Sequence, residues 1–139
     1  MKHIHTPSAS STASIKKPHS RAGEVRIIGG RYKRSKLTVP VAAGLRPTGD
    51  RVRETVFNWL GQDLTGLRCI DAFAGSGALG FEAASRGAST VWLVERDRVA
   101  LRALEVNQER LQIPGVRIAN GDAIALLAAQ RAANWDLIF

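Results

Sequence analysis

The sequence has 139 residues, 45% of them hydrophobic, and a formal net charge of +8. That is enough apolar material for one domain with a packed core, and no apolar run approaches the roughly 20 residues of a membrane-spanning helix. The single cysteine, Cys69, excludes a disulfide framework and a Cys/His metal cluster, so no metal site is expected.

Charge is distributed unevenly. Residues 1–53 carry twelve Lys/Arg against two acids, a net of +10, whereas residues 54–139 carry eight Arg against ten acids, a net of −2. A basic front on a near-neutral body is the footprint of a polyanion binder, a solubilising tail being the alternative. The N-terminus lacks the apolar h-region of a signal peptide, and a reducing, cytoplasmic setting fits the lone thiol. Its Ser-rich, acid-poor composition leaves an organellar address as the alternative to a plain tail.

Residues 1–23 offer almost nothing to bury and read as a disordered basic tail. His3, His5 and His19 lie in it without a ligand set. Residues 24–63 form a basic N-terminal segment. Val25, Ile27 and Ile28 make one short apolar run and Leu37–Val39 another, with Gly29-Gly30 as the break between them. Helical spacing starts near Thr48–Asp50, either of which can cap. Val52, Val56, Trp59 and Leu60 fall on one face, and Gly61 can end the helix.

From residue 64 the pattern becomes strand, helix, strand. Leu67–Phe73 is a short apolar strand, followed by a glycine loop and a small-residue helix ending at Gly87. Thr90–Glu95 is a second strand and Asp97–Gln112 a helix with Ala100, Leu104 and Leu111 on one side. Val116–Ala119 is a third strand, Ala123–Arg131 a short helix, and Trp135–Phe139 opens a fourth strand. Such alternation predicts an α/β fold with a mostly parallel sheet and helices on both faces.

The loop Gly75-Ser76-Gly77-Ala78-Leu79-Gly80 matches G-x-G-x-x-G between a strand and a helix. Its glycines allow a tight turn and close approach of a ligand to the helix N-terminal amides. Asp71, four residues earlier, argues against a dinucleotide, because a carboxylate repels a pyrophosphate. S-adenosylmethionine has no phosphate, and its sulfonium and α-ammonium favour such an acid. A loop- or helix-capping role is the alternative for Asp71. Glu95 ends the next strand and can accept both ribose hydroxyls of an adenosine. Asp122 follows the third strand. If the strands are ordered 3-2-1, it reaches the adenine amino group while the Ala123 amide serves a ring nitrogen. As a helix N-cap it has an equally ordinary role, and the two are compatible. Phe73, Ser76 and Arg96 complete the expected cofactor-binding set.

Together these residues resemble the class I methyltransferase fold, with Cys69–Gly77 similar to its donor-binding first motif. Arg26-Ile27-Ile28-Gly29-Gly30-Arg31-Tyr32-Lys33 and Arg46-Pro47-Thr48-Gly49-Asp50-Arg51-Val52-Arg53-Glu54 closely resemble the bacterial 16S rRNA (guanine-N2) methyltransferases, from about Val25 to Phe139. The resemblance implies methyl transfer from S-adenosyl-L-methionine to the exocyclic amine of one guanine in small-subunit rRNA; naked 16S rRNA or an assembling subunit is the expected partner, and a monomer is expected. It implies that Asp71, Gly75, Gly77, Glu95 and Asp122 hold the donor. Residues 46–54 would lie over the reaction cleft. Arg26, Arg31, Lys33, Arg34, Lys36, Arg46, Thr48, Arg51 and Arg53 would contact RNA.

In that family an Asp/Asn-Pro-Pro-aromatic loop follows the fourth strand and orients the target amine. Here Phe139 is the last residue, so residues 64–139 read as a partial donor-binding domain and no catalytic residue is assigned within the chain. Asp136 stands at the start of its strand, not at its end. The expectation is an incomplete sheet with strand four unpaired on one side, weak donor binding and no methyl transfer. The alternatives are methylation of another RNA, DNA or a small molecule, an adenosine-cofactor oxidoreductase, and a non-catalytic RNA-binding remnant. Cys69 is expected to be buried and inert, and Trp59, Trp92 and Trp135 to pack in core or cleft walls. Tyr32 either stacks on a base or packs on strand neighbours. Arg96, Arg98, Arg102 and Arg110 are expected to form solvated helix charges.

Overall fold

The computed structural model describes residues 23–40, 48–129 and 134–139. The expected tail, Arg46 and the end of the Ala123–Arg131 helix lie outside or partly outside them. Two antiparallel strands come first, β1 (Glu24–Arg26) and β2 (Lys36–Thr38), then helix α1 (Asp50–Trp59). The α/β unit follows as β3 (Arg68–Asp71), α2 (Ala78–Ser85), β4 (Thr90–Glu95), α3 (Arg98–Leu111), β5 (Val116–Asn120), α4 (Ala123–Ala129) and β6 (Leu137–Ile138). All pairings in its sheet are parallel and the order is β5-β4-β3-β6. Counted from β3 in chain order this is 3-2-1-4, the order that brings the ends of the first three strands to neighbouring positions.

Alternation along the strands builds two cores. Cys69, Val91 and Leu93 face one side, with α2, α3, the β1–β2 hairpin and Phe57 of α1. Ile70, Ala72 and Val94 face the other, with Ala123, Leu126 and Leu127 of α4 and the edge-to-face pair Trp92–Trp135, whose ring centroids are 5.2 Å apart. Helices therefore cover both faces. Cys69 is fully buried, and burial, aided by Asp136, pushes its thiol up to about 11, so it is inert at neutral pH.

Local chemistry sets the helix ends. The Asp97 carboxylate caps α3 by accepting from the Ala100 amide at 2.9 Å, and Gln112 closes that helix in the left-handed region. Helix α1 starts at Gly49 without a side-chain cap, correcting the expectation for Thr48 or Asp50, and Gly61 follows its end with a positive φ. The third glycine of the loop lets α2 press on the sheet, since a Cβ at Gly80 would lie 2.0 Å from Leu93 Cδ2.

The apolar stripe predicted for α1 holds only in part, with Val56 and Leu60 half-buried and Leu60 packed against the core. Val52 and Trp59 are 56% and 83% exposed, while Arg53 and Phe57 are fully buried. Phe57 lies 5.8 Å from Phe139, ring to ring, and the Arg86 guanidinium stands over the Phe57 ring at 4.8 Å. These partners are distant in sequence, and they centre the buried face on Phe57, leaving Val52 and Trp59 outside it. Arg110 is exposed, as expected, and it also donates to the Lys36 carbonyl and to Asn107 Oδ1.

Candidate functional site

The carboxyl ends of β3, β4 and β5 open into a cleft of about 210 Å³ lined by Ala72, Phe73, Glu95, Arg96, Asp122 and Ala123, among others. This is below the roughly 300–1,000 Å³ of sites that enclose a whole drug-sized ligand, and it suits one end of a longer molecule. Parallel strands deliver their carboxyl-end residues to one edge, so three side chains far apart in sequence become neighbours.

Asp71 is 4% exposed, and its Oδ2 accepts from the Gly80 amide at 3.2 Å, satisfying one free amide of the first turn of α2. Burial pushes its carboxyl up to about 6, with the nearby Glu95 adding to the effect. Glu95 Oε2 accepts from the Gly75 amide at 2.8 Å, and its Oε1 accepts from the Arg96 and Asp97 amides at 3.1 and 3.0 Å. That carboxylate thus stitches the glycine loop to the end of β4. Gly75 and Gly77 both have positive φ, and a Cβ on Gly77 would meet Leu104 and Phe81 within 2.7 Å, so the turn requires glycine.

Asp122 Oδ1 accepts from the Ile124 and Ala125 amides at 2.8 and 3.2 Å, so its capping role is present in the geometry. Its Oδ2 lies 4.0 Å from the Arg96 guanidinium on the exposed cleft wall. Phe73 is 74% exposed at the rim, and Ser76 is buried, with Oγ accepting from the Ala78 amide. The expected cofactor set is thus gathered at one edge. The cleft offers carboxylates, backbone amides and an aromatic ring, which suits a polar ligand bearing hydroxyls and a cation. Asp136 lies at the opposite strand ends and is held by the Arg68 amide and guanidinium.

Of the residues expected to meet RNA, Arg26, Arg31, Lys33, Arg34, Lys36 and Arg51 are exposed. Arg26 and Lys36 share Glu24, at 3.8 and 3.6 Å. Tyr32 is half-buried and packs against the core, with the Arg31 guanidinium 5.8 Å from its ring centre. Thr48 presents its carbonyl to Arg53 Nε at 3.1 Å. Arg53 itself is a correction. Its guanidinium is fully buried, paired with Asp50 and with Glu82 at 3.3 Å, and it donates to the Arg26 carbonyl. It cannot reach a phosphate.

The residue that sequence reasoning missed is Glu82, fully buried on α2. It accepts from the Ile28 and Gly29 amides at 2.8 and 3.0 Å and pairs with Arg53 and Arg86. Ser85 continues the junction, donating to the Gly29 carbonyl and accepting from the Tyr32 amide. Asn107 on α3 both donates to and accepts from the Thr38 backbone. The hairpin and α1 are thereby fixed to the helix that begins at the glycine loop. The only sequence signal was an acid amid small residues, three positions before Ser85.

Residues 25–139 match the family model described as conserved hypothetical protein 95. Ribosomal RNA small subunit methyltransferase D of Escherichia coli K12 is 47% identical over 90% of this chain and 63% of its own length. The protein of that name from Haemophilus influenzae is 40% identical over all of this chain and 67% of its own. The chain thus spans less than two thirds of the Escherichia coli relative. The solved structure of the Escherichia coli protein yhhF superposes with a TM-score of 0.69 at 45% identity, covering 76% of this chain and 57% of that one. The chain therefore belongs to the conserved hypothetical protein 95 family, on the methyltransferase variant of the Rossmann-like fold.

Proposed function

We propose that this chain is the donor-binding and RNA-facing part of an enzyme that moves a methyl group from S-adenosyl-L-methionine to N2 of a guanine in 16S rRNA. The observation that carries the reading is Asp71, a buried carboxylate at a strand tip beside the glycine loop, with no Lys or Arg paired to it among the described residues. A bound cation is what such a group lacks, and a pyrophosphate is what it would repel. The donor supplies an electrophilic methyl group on a cationic sulfur. Asp71 would face its charged amino-acid end, Glu95 the ribose, and Asp122 with the Ala123 amide the adenine. The names of the relatives support the rRNA substrate.

Two measurements test this. Calorimetric titration with S-adenosylhomocysteine and with NAD is expected to show binding of the first, and tighter NAD binding would contradict the donor assignment. For the substrate, residues 1–139 continued by the remaining segment of the Escherichia coli relative are given methyl-labelled donor with small subunits, naked 16S rRNA and DNA. Labelled N2-methylguanosine from rRNA is the expected product, and label in DNA or at another position would overturn it.

A further inference from the structure

The structure carries a second concave surface, remote from the donor cleft. A groove of about 440 Å³ lies between the turn that follows Ile28 and the outer side of α1, lined by Lys33, Glu54, Asn58 and Gln62 with Arg86 at its base. Gly29 and Gly30 bring the turn against Ser85 and Arg86, where α2 ends, and a Cβ on Gly30 would sit 2.0 Å from the Ser85 carbonyl oxygen. The groove thus lies at the end of α2, whose start, about 12 Å away along an eight-residue helix, carries the glycine loop. Next to Asn58 in the chain stands Trp59, the most exposed large apolar side chain among the described residues at 83%.

We propose that this groove, together with Trp59, is a contact for a single-stranded segment of RNA, an inference that rests on the RNA-methyltransferase reading above. The lining is hydrophilic, which suits base edges better than an apolar protein partner. Lys33 supplies a cation for phosphate, and the Asn58 and Gln62 amides and the Glu54 carboxylate supply donors and acceptors for bases. Arg31 and Arg34 flank Lys33 on an exposed turn, extending the positive charge. Trp59 supplies a rigid stacking surface, because α1 is pinned from behind by the Arg53–Glu82 pair and by Phe57. The surface therefore separates two roles, with phosphate attraction on the turn and base stacking on the helix.

The test uses the full chain and a short, unstructured, fluorescein-labelled RNA of mixed sequence, with S-adenosylhomocysteine affinity read in parallel to confirm an intact fold. Trp59→Ala is expected to weaken RNA binding about 5- to 100-fold without changing the salt dependence, and Trp59→Phe to retain most of the affinity. Lys33→Gln is expected to weaken binding and lower the slope of log affinity against log salt by about one. RNA affinity unchanged in Trp59→Ala overturns this proposal and leaves the methyltransferase reading intact. So does a wild-type dimer that Trp59→Ala converts to monomer, which would assign the face to a second copy. A wild-type chain that binds S-adenosylhomocysteine but no RNA overturns both the groove and the RNA substrate.

Discussion

Asp71 and Glu82 are both buried carboxylates that touch α2, and they differ in how their charge is balanced. Glu82 is surrounded by two amides and two guanidiniums and is shut off from solvent. Asp71 accepts from the Gly80 amide, pairs with no Lys or Arg among the described residues, and has its carboxyl pushed up to about 6. A carboxylate with its cations built in holds elements together, whereas one left without them is poised for a ligand. The first joins the hairpin and α1 to the α/β unit, and the second is the group proposed above to face the donor.

Removing each group should therefore move stability in opposite directions. Glu82→Ala takes the buried acid from Arg86 and leaves Arg53 with Asp50 alone, and it is expected to cost about 3–5 kcal/mol, read by urea unfolding. Asp71→Asn keeps an acceptor for Gly80 but removes an unbalanced charge, so it should raise the stability of the free protein at neutral pH. The same change is expected to weaken S-adenosylhomocysteine binding roughly 10- to 100-fold. Destabilisation by Asp71→Asn as large as that by Glu82→Ala would erase the contrast.

The pH dependence sharpens it. Asp71 titrates near its ordinary value, about 4, when unfolded, and near 6 when folded. Between these values the folded state binds more protons, so this group makes stability fall as pH rises, by at most ~3 kcal/mol. Donor affinity should rise across the same window as the carboxylate ionises, and level off above it. Asp71→Asn is expected to flatten both curves, in unfolding and in titration. A smaller effect is expected of Gly80→Ala, whose added carbon collides with Leu93. It should cost about 1–3 kcal/mol and weaken donor binding by shifting α2 from Asp71. Smallest is Arg102→Ala, which loses only an exposed pair with Glu105 and should leave both readouts unchanged.

The sequence made the cleft readable for a local reason. Asp71, Glu95 and Asp122 each sit at or just beyond a strand's carboxyl end, and a parallel sheet brings such positions to one edge. The second strand has the bounds expected of it, Thr90 to Glu95. The junction was not readable, because Glu82 becomes a buried hub only through Ile28, Gly29 and Arg53, all far from it in the chain. For the same reason Arg53 passed as an RNA contact and Trp59 as a core residue. Helical spacing gives the period of an apolar stripe, but Phe139 and Arg86 decide which stripe wins.

The most direct measurement is calorimetric titration of the wild-type chain and of Asp71→Asn with S-adenosylhomocysteine and NAD near neutral pH. The account predicts that the wild type prefers the homocysteine nucleoside and that the variant loses this preference while remaining folded. Equal affinities in the two proteins, or a wild type that takes the diphosphate more tightly, would contradict it.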